Sequence, residues 1–213
     1  MRVLFDLDGT LTDSRPGIAR CFQHALTELG RVPPPEAELS GFVGPPLAIC
    51  FERLLGSSSP PLIERAVAAY RERYEQSGMF ENALYPDVRE TLDALSAANH
   101  QLDVVTSKPA VYARRILRHF GIDGAFAGVY GPELTDRRFD KGLLIRAALQ
   151  SVSAGVPVMV GDRADDIAGA RQNNLASIGV TWGYGSREEL EAAGPDRIVE
   201  SMAELLLHLE RAV

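Results

Sequence analysis

Lysine is nearly absent from this chain. Of its 22 basic residues only Lys108 and Lys141 are lysines, and the other twenty are arginines. Cysteine is as scarce: Cys21 and Cys50 stand alone. A disulfide scaffold or a zinc cluster needs more cysteines or a C-x-x-C spacing, so two free, buried thiols in a reducing compartment are expected. An excess of positive charge is missing too. With 22 basic against 29 acidic residues the net charge is −7, and an acidic chain has no general attraction for nucleic acid or an anionic membrane surface. No apolar run approaches the roughly 20 residues that span a bilayer. Residues Met1 to Phe5 lead straight into an acidic motif and leave no room for the apolar core of a signal peptide. A soluble cytoplasmic protein is the expectation. The 46% hydrophobic and 24% charged content excludes disorder, collagen and coiled coil as descriptions of the whole chain.

What is present is an alternation of short apolar runs with helical patterns. Arg2–Leu7, Leu102–Thr106, Pro157–Gly161 and Ser177–Thr181 read as buried strands, with Gly128–Tyr130 and Arg197–Val199 as weaker ones. Helical spacing marks Pro86–Ala98, Val111–Phe120, Lys141–Val152, Ala164–Asn173 and Met202–Leu209. Such alternation predicts an α/β fold with a doubly wound parallel sheet of Rossmann-like type. One stretch breaks the rhythm. From Arg15 to Phe80 there are helix patterns and no convincing strand, punctuated by Pro33–Pro34–Pro35 and by Ser57 to Pro61, with a strongly amphipathic piece over Leu62–Gln76. It is too long for a crossover and too apolar for a linker. The expected division is a core domain of residues 1–14 and 81–213 with an inserted α-helical cap domain over 15–80.

The chemistry concentrates at the predicted strand ends. The first strand runs into Asp6–Leu7–Asp8–Gly9–Thr10, and carboxylates at i and i+2 share a face there. In open α/β sheets ligands bind at the carboxyl ends of strands, although Asp and Gly are also ordinary turn residues. The strand over 157–161 runs into Asp162, followed by Asp165 and Asp166 at the start of a helix, where the dipole alone would favour acidic residues. Asp6, Asp8, Asp162 and Asp166 together would repel one another unless a cation neutralised them. Their hard oxygens suit Mg2+, usually completed by substrate phosphate. Thr106 ends another strand, and Ser107 and Lys108 follow it. The segment either caps the next helix or binds a phosphate at its N-terminus. Lys141 opens a helix, where the dipole disfavours a cation, so a reason for it is wanted.

These segments resemble the haloacid dehalogenase superfamily, in its phosphatase branch with a helical cap. Within it, the chain looks most like the phosphoglycolate phosphatase-type proteins. Gly44–Pro45–Pro46–Leu47 and Trp182–Gly183–Tyr184–Gly185 resemble a 5′-nucleotidase-like subset. The resemblance implies Asp6 as nucleophile, Asp8 as general acid/base, and Thr106 and Lys141 as further catalytic residues. It implies Mg2+ held by Asp6, Asp162 and the backbone carbonyl of Asp8, with Asp166 supporting the metal shell. It also places the first strand between the strands that end at Thr106 and Asp162. The implied function is Mg2+-dependent hydrolysis of a small phosphorylated metabolite through an aspartyl phosphate, with phosphoglycolate and nucleoside 5′-monophosphates as leading candidates. Substrate contacts are expected from Thr106, Ser107, Lys108 and, in the helical insert, Arg53. Phe22, Phe42 and Phe51 are aromatics that could stack on a nucleobase, although any one of them more commonly packs in the core of such an insert.

Other readings of the pattern are weaker. A dehalogenase of the superfamily lacks the second aspartate and the metal. A phosphonatase needs a cap lysine, and Arg15–Phe80 contains none, which removes that reading unless Lys108 substitutes. A catalytically silent phosphate-binding protein, or a receiver-like signalling protein, is the alternative from another class. The receiver phosphorylates an aspartate on a later strand and carries no large insert.

Overall fold

The computed structural model describes residues 1–136, 140–151 and 155–211. Its strands are, in chain order, β1 (Arg2–Phe5), β2 (Thr12–Asp13), β3 (Ala83–Leu84), β4 (Gln101–Val105), β5 (Gly128–Tyr130), β6 (Pro157–Gly161), β7 (Ala176–Val180) and β8 (Arg197–Val199). Six of them form one parallel sheet in the order β5-β4-β1-β6-β7-β8, and β2 and β3 pair separately. Strand β1 therefore lies between β4 and β6, with Leu4 beside Asp103 on one side and Met159 on the other. All four of its residues are buried. Parallel strands covered on both faces read as continuous apolar runs, and this explains why alternation is missing from Val3–Leu4–Phe5 and Val158–Met159–Val160.

The chain divides into two compact units. One comprises Met1–Asp13 with the chain from Leu84 onward, and the other is Ser14–Ala83. In the first unit α5 (Val88–Ala97) leads into β4; α6 (Ala110–His119), α7 (Lys141–Leu149), α8 (Ala164–Gln172) and α9 (Arg187–Ala193) connect successive strands of the sheet, and α10 (Met202–Arg211) follows the last strand. Leu4, Val105 and Met159 of the sheet pack with Ile145 and Ala148 of α7 and Ala170 of α8. Most boundaries fall within two residues of those read from the sequence. β1 stops at Phe5 because the Leu7 carbonyl accepts from Leu11 N and Thr12 N, both at 2.9 Å, and wraps the chain into a tight turn. The helix expected to reach Val152 ends at Leu149; Val152 itself lies outside the described residues.

A buried ion pair ties this sheet to α7. Arg2 Nε meets Asp103 Oδ2 at 2.8 Å, and both side chains are 1% exposed. Arg2 Nη2 also donates to the Ala148 carbonyl and to Ser151 Oγ, each at 2.8 Å. Removing one partner of such a pair strands the other charge, which costs about 3–5 kcal/mol. Asp103→Ala should lower stability by that amount, read from the urea midpoint at an unchanged m-value.

The second unit is helical: α1 (Arg15–Glu28), α2 (Glu36–Leu39), α3 (Leu47–Leu55) and α4 (Pro60–Gln76). Pro16, and Pro60 with Pro61, occupy first turns, where their missing N–H groups would have no helical partner. Gly56, with φ +59°, closes α3 in the left-handed conformation. Phe22 and Phe51 belong to the core of this unit, the commoner use of such rings in a helical insert. Phe22 and Phe51 are fully buried, and the Phe22 ring lies 5.2 Å from Phe51, 4.9 Å from Tyr70 and 5.9 Å from Phe42. Apolar burial among helices without a sheet uses these rings, which leaves Phe22 and Phe51 no exposed face for a base. Cys21 and Cys50 are free and buried. No described helix is long and apolar enough to cross a membrane.

Candidate active site

The carboxyl ends of β1, β4 and β6 lie side by side because their strands are adjacent and parallel. Asp6 follows β1 and remains hydrogen-bonded to β6 through its N–H to the Val160 carbonyl at 2.9 Å. Asp162 follows β6, and Asp166 lies in the first turn of α8. Carboxylate oxygens of Asp6, Asp162 and Asp166 all fall within 4.8 Å of one another, and all three residues are buried. Like charges at that separation repel by about 4 kcal/mol per pair at an effective dielectric of 20.

Burial and repulsion show in the protonation of Asp6 and Asp162. Burial, the largest influence, pushes the Asp6 carboxyl up; Lys141 pulls it back, and Asp166 and Asp8 push it up again, to about 6. For Asp162, burial and then Asp166 and Asp6 raise the carboxyl to about 8 against the N–H groups of Tyr184 and Gly185. The donor set of three buried, mutually repelling carboxylates fits a divalent cation with hard oxygen preference. Lys141 supplies part of the missing charge. Its Nζ lies 2.7 Å from Asp6 Oδ1 and 2.7 Å from Asp166 Oδ1. Burial works against its ammonium, but Asp166 and Asp6 outweigh that and hold its pKa above the ordinary lysine value. The cation disfavoured by the α7 dipole is thus explained by the two carboxylates it faces.

Asp8 stands apart from this trio. Its Oδ2 meets Lys108 Nζ at 2.8 Å, and its Oδ1 lies 3.5 Å from Thr12 Oγ1. Thr106 is buried at the end of β4, where its Oγ1 accepts from the Lys108 N–H at 3.2 Å. Ser107 lines a polar cleft of about 150 Å³ together with Asp140, Lys141, Asp165 and Gln172. The structure therefore brings Asp6, Asp8, Thr106, Ser107, Lys108, Lys141, Asp162 and Asp166 to one end of the sheet. Arg53 belongs to the other unit, where it is an exposed residue in the last turn of α3.

Sequence reasoning did not assign a site role to the segment after β7. Tyr184 N–H donates to Asp162 Oδ2 at 2.7 Å, and Trp182 Nε1 donates to the Thr10 carbonyl at 3.0 Å. A Cβ on Gly183 or Gly185 would collide with Asp162, and one on Gly9, whose φ is +90°, would collide with the Asp162 carboxylate. Gly9 and Gly183 let two backbone segments close around a single carboxylate, and Gly185 clears the Asp162 main chain. The signal was present as the Gly-x-Gly at 183–185 directly after a strand. Glu189 was missed as well: its Oε1 accepts from Arg163 Nε and Ala164 N, both at 2.9 Å, and steadies the turn that carries Asp162 and Asp166. Arg163 N in turn donates to Asp166 Oδ2 at 3.1 Å.

The stability consequence has a definite sign. The folded Asp162 carboxyl titrates near 8 against an ordinary value of 3.8, so between those values the native state holds a proton that the unfolded chain has released. Stability of the metal-free protein then falls as pH rises from about 4 to about 8. Asp162→Asn, which keeps an oxygen for the Tyr184 N–H, should raise the Tm of metal-free protein at pH 8 by about 5 °C or more. Differential scanning calorimetry with and without chelator reads this, and an unchanged or lower Tm would contradict the buried-charge account.

A parallel sheet with a D-x-D turn after its central strand, a lysine on the first aspartate and a carboxylate pair just beyond the neighbouring strand defines a phosphoryl-transfer hydrolase. Residues 3–180 match the haloacid dehalogenase-like hydrolase family, and the chain belongs to it, on its phosphatase side. It is 45% identical to a 5′-nucleotidase of Pseudomonas aeruginosa, over 98% of this chain and 95% of that protein. A predicted phosphatase from Clostridium acetobutylicum has a crystal structure that superposes with a TM-score of 0.89 at 38% identity, covering 99% of this chain and 98% of the other. A relative with a different name is the tyrosine-protein kinase PtkA of Mycobacterium tuberculosis, 40% identical over 89% of this chain, which spans 65% of that protein's length.

Proposed function

We propose that the protein is a Mg2+-dependent phosphomonoesterase for small phosphorylated metabolites, with phosphoglycolate and nucleoside 5′-monophosphates as the leading candidates. The observation that carries this is the buried Asp6 carboxylate, bonded to Lys141 at 2.7 Å and within 4.8 Å of Asp162 and Asp166. Mg2+ held by Asp6, Asp162 and the Asp8 carbonyl, with Asp166 supporting its shell, would supply the positive charge that lets a carboxylate approach a phosphate dianion. In this reading an Asp6 oxygen attacks phosphorus and forms an aspartyl phosphate. Asp8 protonates the departing alkoxide and later takes the proton of the water that hydrolyses the intermediate. Lys141 stays beside Asp6 and offsets charge on the transferring phosphoryl group. Thr106 and Ser107 are proposed to hold the phosphate, and Arg53 to meet the leaving group.

The test is a screen of phosphomonoesters ranked by kcat/KM with Mg2+ present and absent, repeated on Arg53→Ala. Preference for one substrate class that Arg53→Ala alters supports the whole reading. Absence of phosphate release from every ester overturns it. The kinase-named relative motivates a second reading, in which the phosphoryl group passes to a protein tyrosine rather than to water. Incubation with labelled ATP and Mg2+ separates them: label on tyrosine favours the second, and label released as inorganic phosphate favours the first.

A further inference from the structure

We propose that Lys108 is a positioning residue for Asp8, and that its contribution grows with the leaving group's need for a proton. The inference rests on the phosphomonoesterase reading above and adds a role that differs from simple phosphate binding.

The two lysines of the chain are divided between the two aspartates of the D-x-D turn. Lys141 Nζ is engaged by Asp6 and Asp166. Lys108 Nζ lies 2.8 Å from Asp8 Oδ2, with side chains 6% and 16% exposed. The backbone behind Lys108 is fixed on several sides. Its own N–H bonds to Thr106 Oγ1, Ala110 N–H bonds to the Pro132 carbonyl at 3.1 Å, and Gly131 packs so closely that a Cβ there would collide with the Lys108 carbonyl. A lysine anchored this way carries its ammonium to a defined point. Asp8 sits on a turn, and its other oxygen meets Thr12 Oγ1 only at the 3.5 Å limit of hydrogen bonding. The Lys108 contact is therefore the stronger constraint on the Asp8 carboxylate.

Orientation matters because proton transfer requires the carboxyl oxygen within hydrogen-bond reach of the leaving oxygen. A short side chain free to rotate loses much of that advantage. A leaving group such as p-nitrophenolate departs without protonation, whereas an alkoxide does not. Loss of the constraint should thus be felt on alkyl phosphates and scarcely on p-nitrophenyl phosphate at the first chemical step. It should be felt on hydrolysis of the intermediate for both, because that step uses Asp8 whatever group has left.

Lys108→Met keeps most of the length of the side chain and removes the charge; Lys108→Gln is the second variant should the first not fold. With wild-type protein and Mg2+, kcat/KM is measured for p-nitrophenyl phosphate and for an alkyl phosphate, together with phosphoenzyme decay after a single turnover and competitive inhibition by inorganic phosphate. The expected result is a fall of about 100-fold in kcat/KM for the alkyl phosphate. Whatever fall p-nitrophenyl phosphate shows should be at least about tenfold smaller, on the same reasoning. Phosphoenzyme decay slows, inhibition by phosphate is unchanged, and Lys108→Arg recovers most of the loss. An equal fall on both esters with weakened phosphate inhibition would make Lys108 a phosphate ligand and overturn the proposal. No change on either ester would overturn it as well. Failure of the underlying reading looks different, because wild-type protein would then release no phosphate from either ester.

Discussion

Asp6→Asn should give a folded protein that releases no phosphate. The substitution keeps the size of the side chain and an oxygen for Lys141 Nζ, 2.7 Å away in the parent, but an amide oxygen does not form an acyl phosphate by the same route. Loss of a covalent nucleophile costs on the order of 10⁴-fold or more in kcat. Folding is not expected to suffer. Burial, Asp166 and Asp8 all disfavour the Asp6 anion, so neutralising it relieves repulsion. The paired measurement is phosphate release alongside Tm: a turnover within tenfold of the parent would remove Asp6 from the nucleophile's role, whatever the stability.

Chelation should have an effect nearly as large. Three carboxylates within 4.8 Å and a phosphate dianion do not share a small volume without a cation, so EDTA is expected to abolish turnover and Mg2+ to restore it. Ca2+ should bind and inhibit, because its larger radius and looser coordination would misplace the nucleophile against phosphorus. Added Mg2+ should also raise the Tm, since it binds the native carboxylates and not the dispersed ones of the unfolded chain. Activity indifferent to EDTA would contradict the assignment of the trio to a metal.

How much of this was legible beforehand depended on how local its cause was. Strand β6, Pro157–Gly161, was readable to the residue because a fully apolar run ended by Gly–Asp admits little else. The position of β1 between β4 and β6 is a long-range fact and came from the family resemblance, not from any residue of β1. Helix α9, Arg187–Ala193, was missed although Ser186 caps it by accepting from Glu189 N; seven residues with a single buried leucine carry almost no periodicity. The aromatics of the helical insert could be read two ways, because hydrophobic character is the same for a ring that packs against Tyr70 and one that waits for a base; Phe22 and Phe51 take the core role. For the site, D-x-D-G and G-D-x-x-x-D were legible as motifs. What was not legible was partnership. Nothing in the order of residues says that Lys108 meets Asp8 while Lys141 meets Asp6, or that Tyr184 returns its N–H to Asp162 from 22 positions away.

The scarcity of lysine has an outcome beyond catalysis. Both lysines are buried, at 9% and 7% exposure, and both are held by active-site carboxylates, so the surface offers guanidinium groups but no lysine amine. Amine-directed acylation, reductive methylation, glycation and isopeptide conjugation therefore find no lysine on the outside of the fold. Any such adduct on a lysine reports that the site has opened. Its suppression by a bound phosphate ester would measure occupancy of that site by covalent footprinting, with no substrate turnover required.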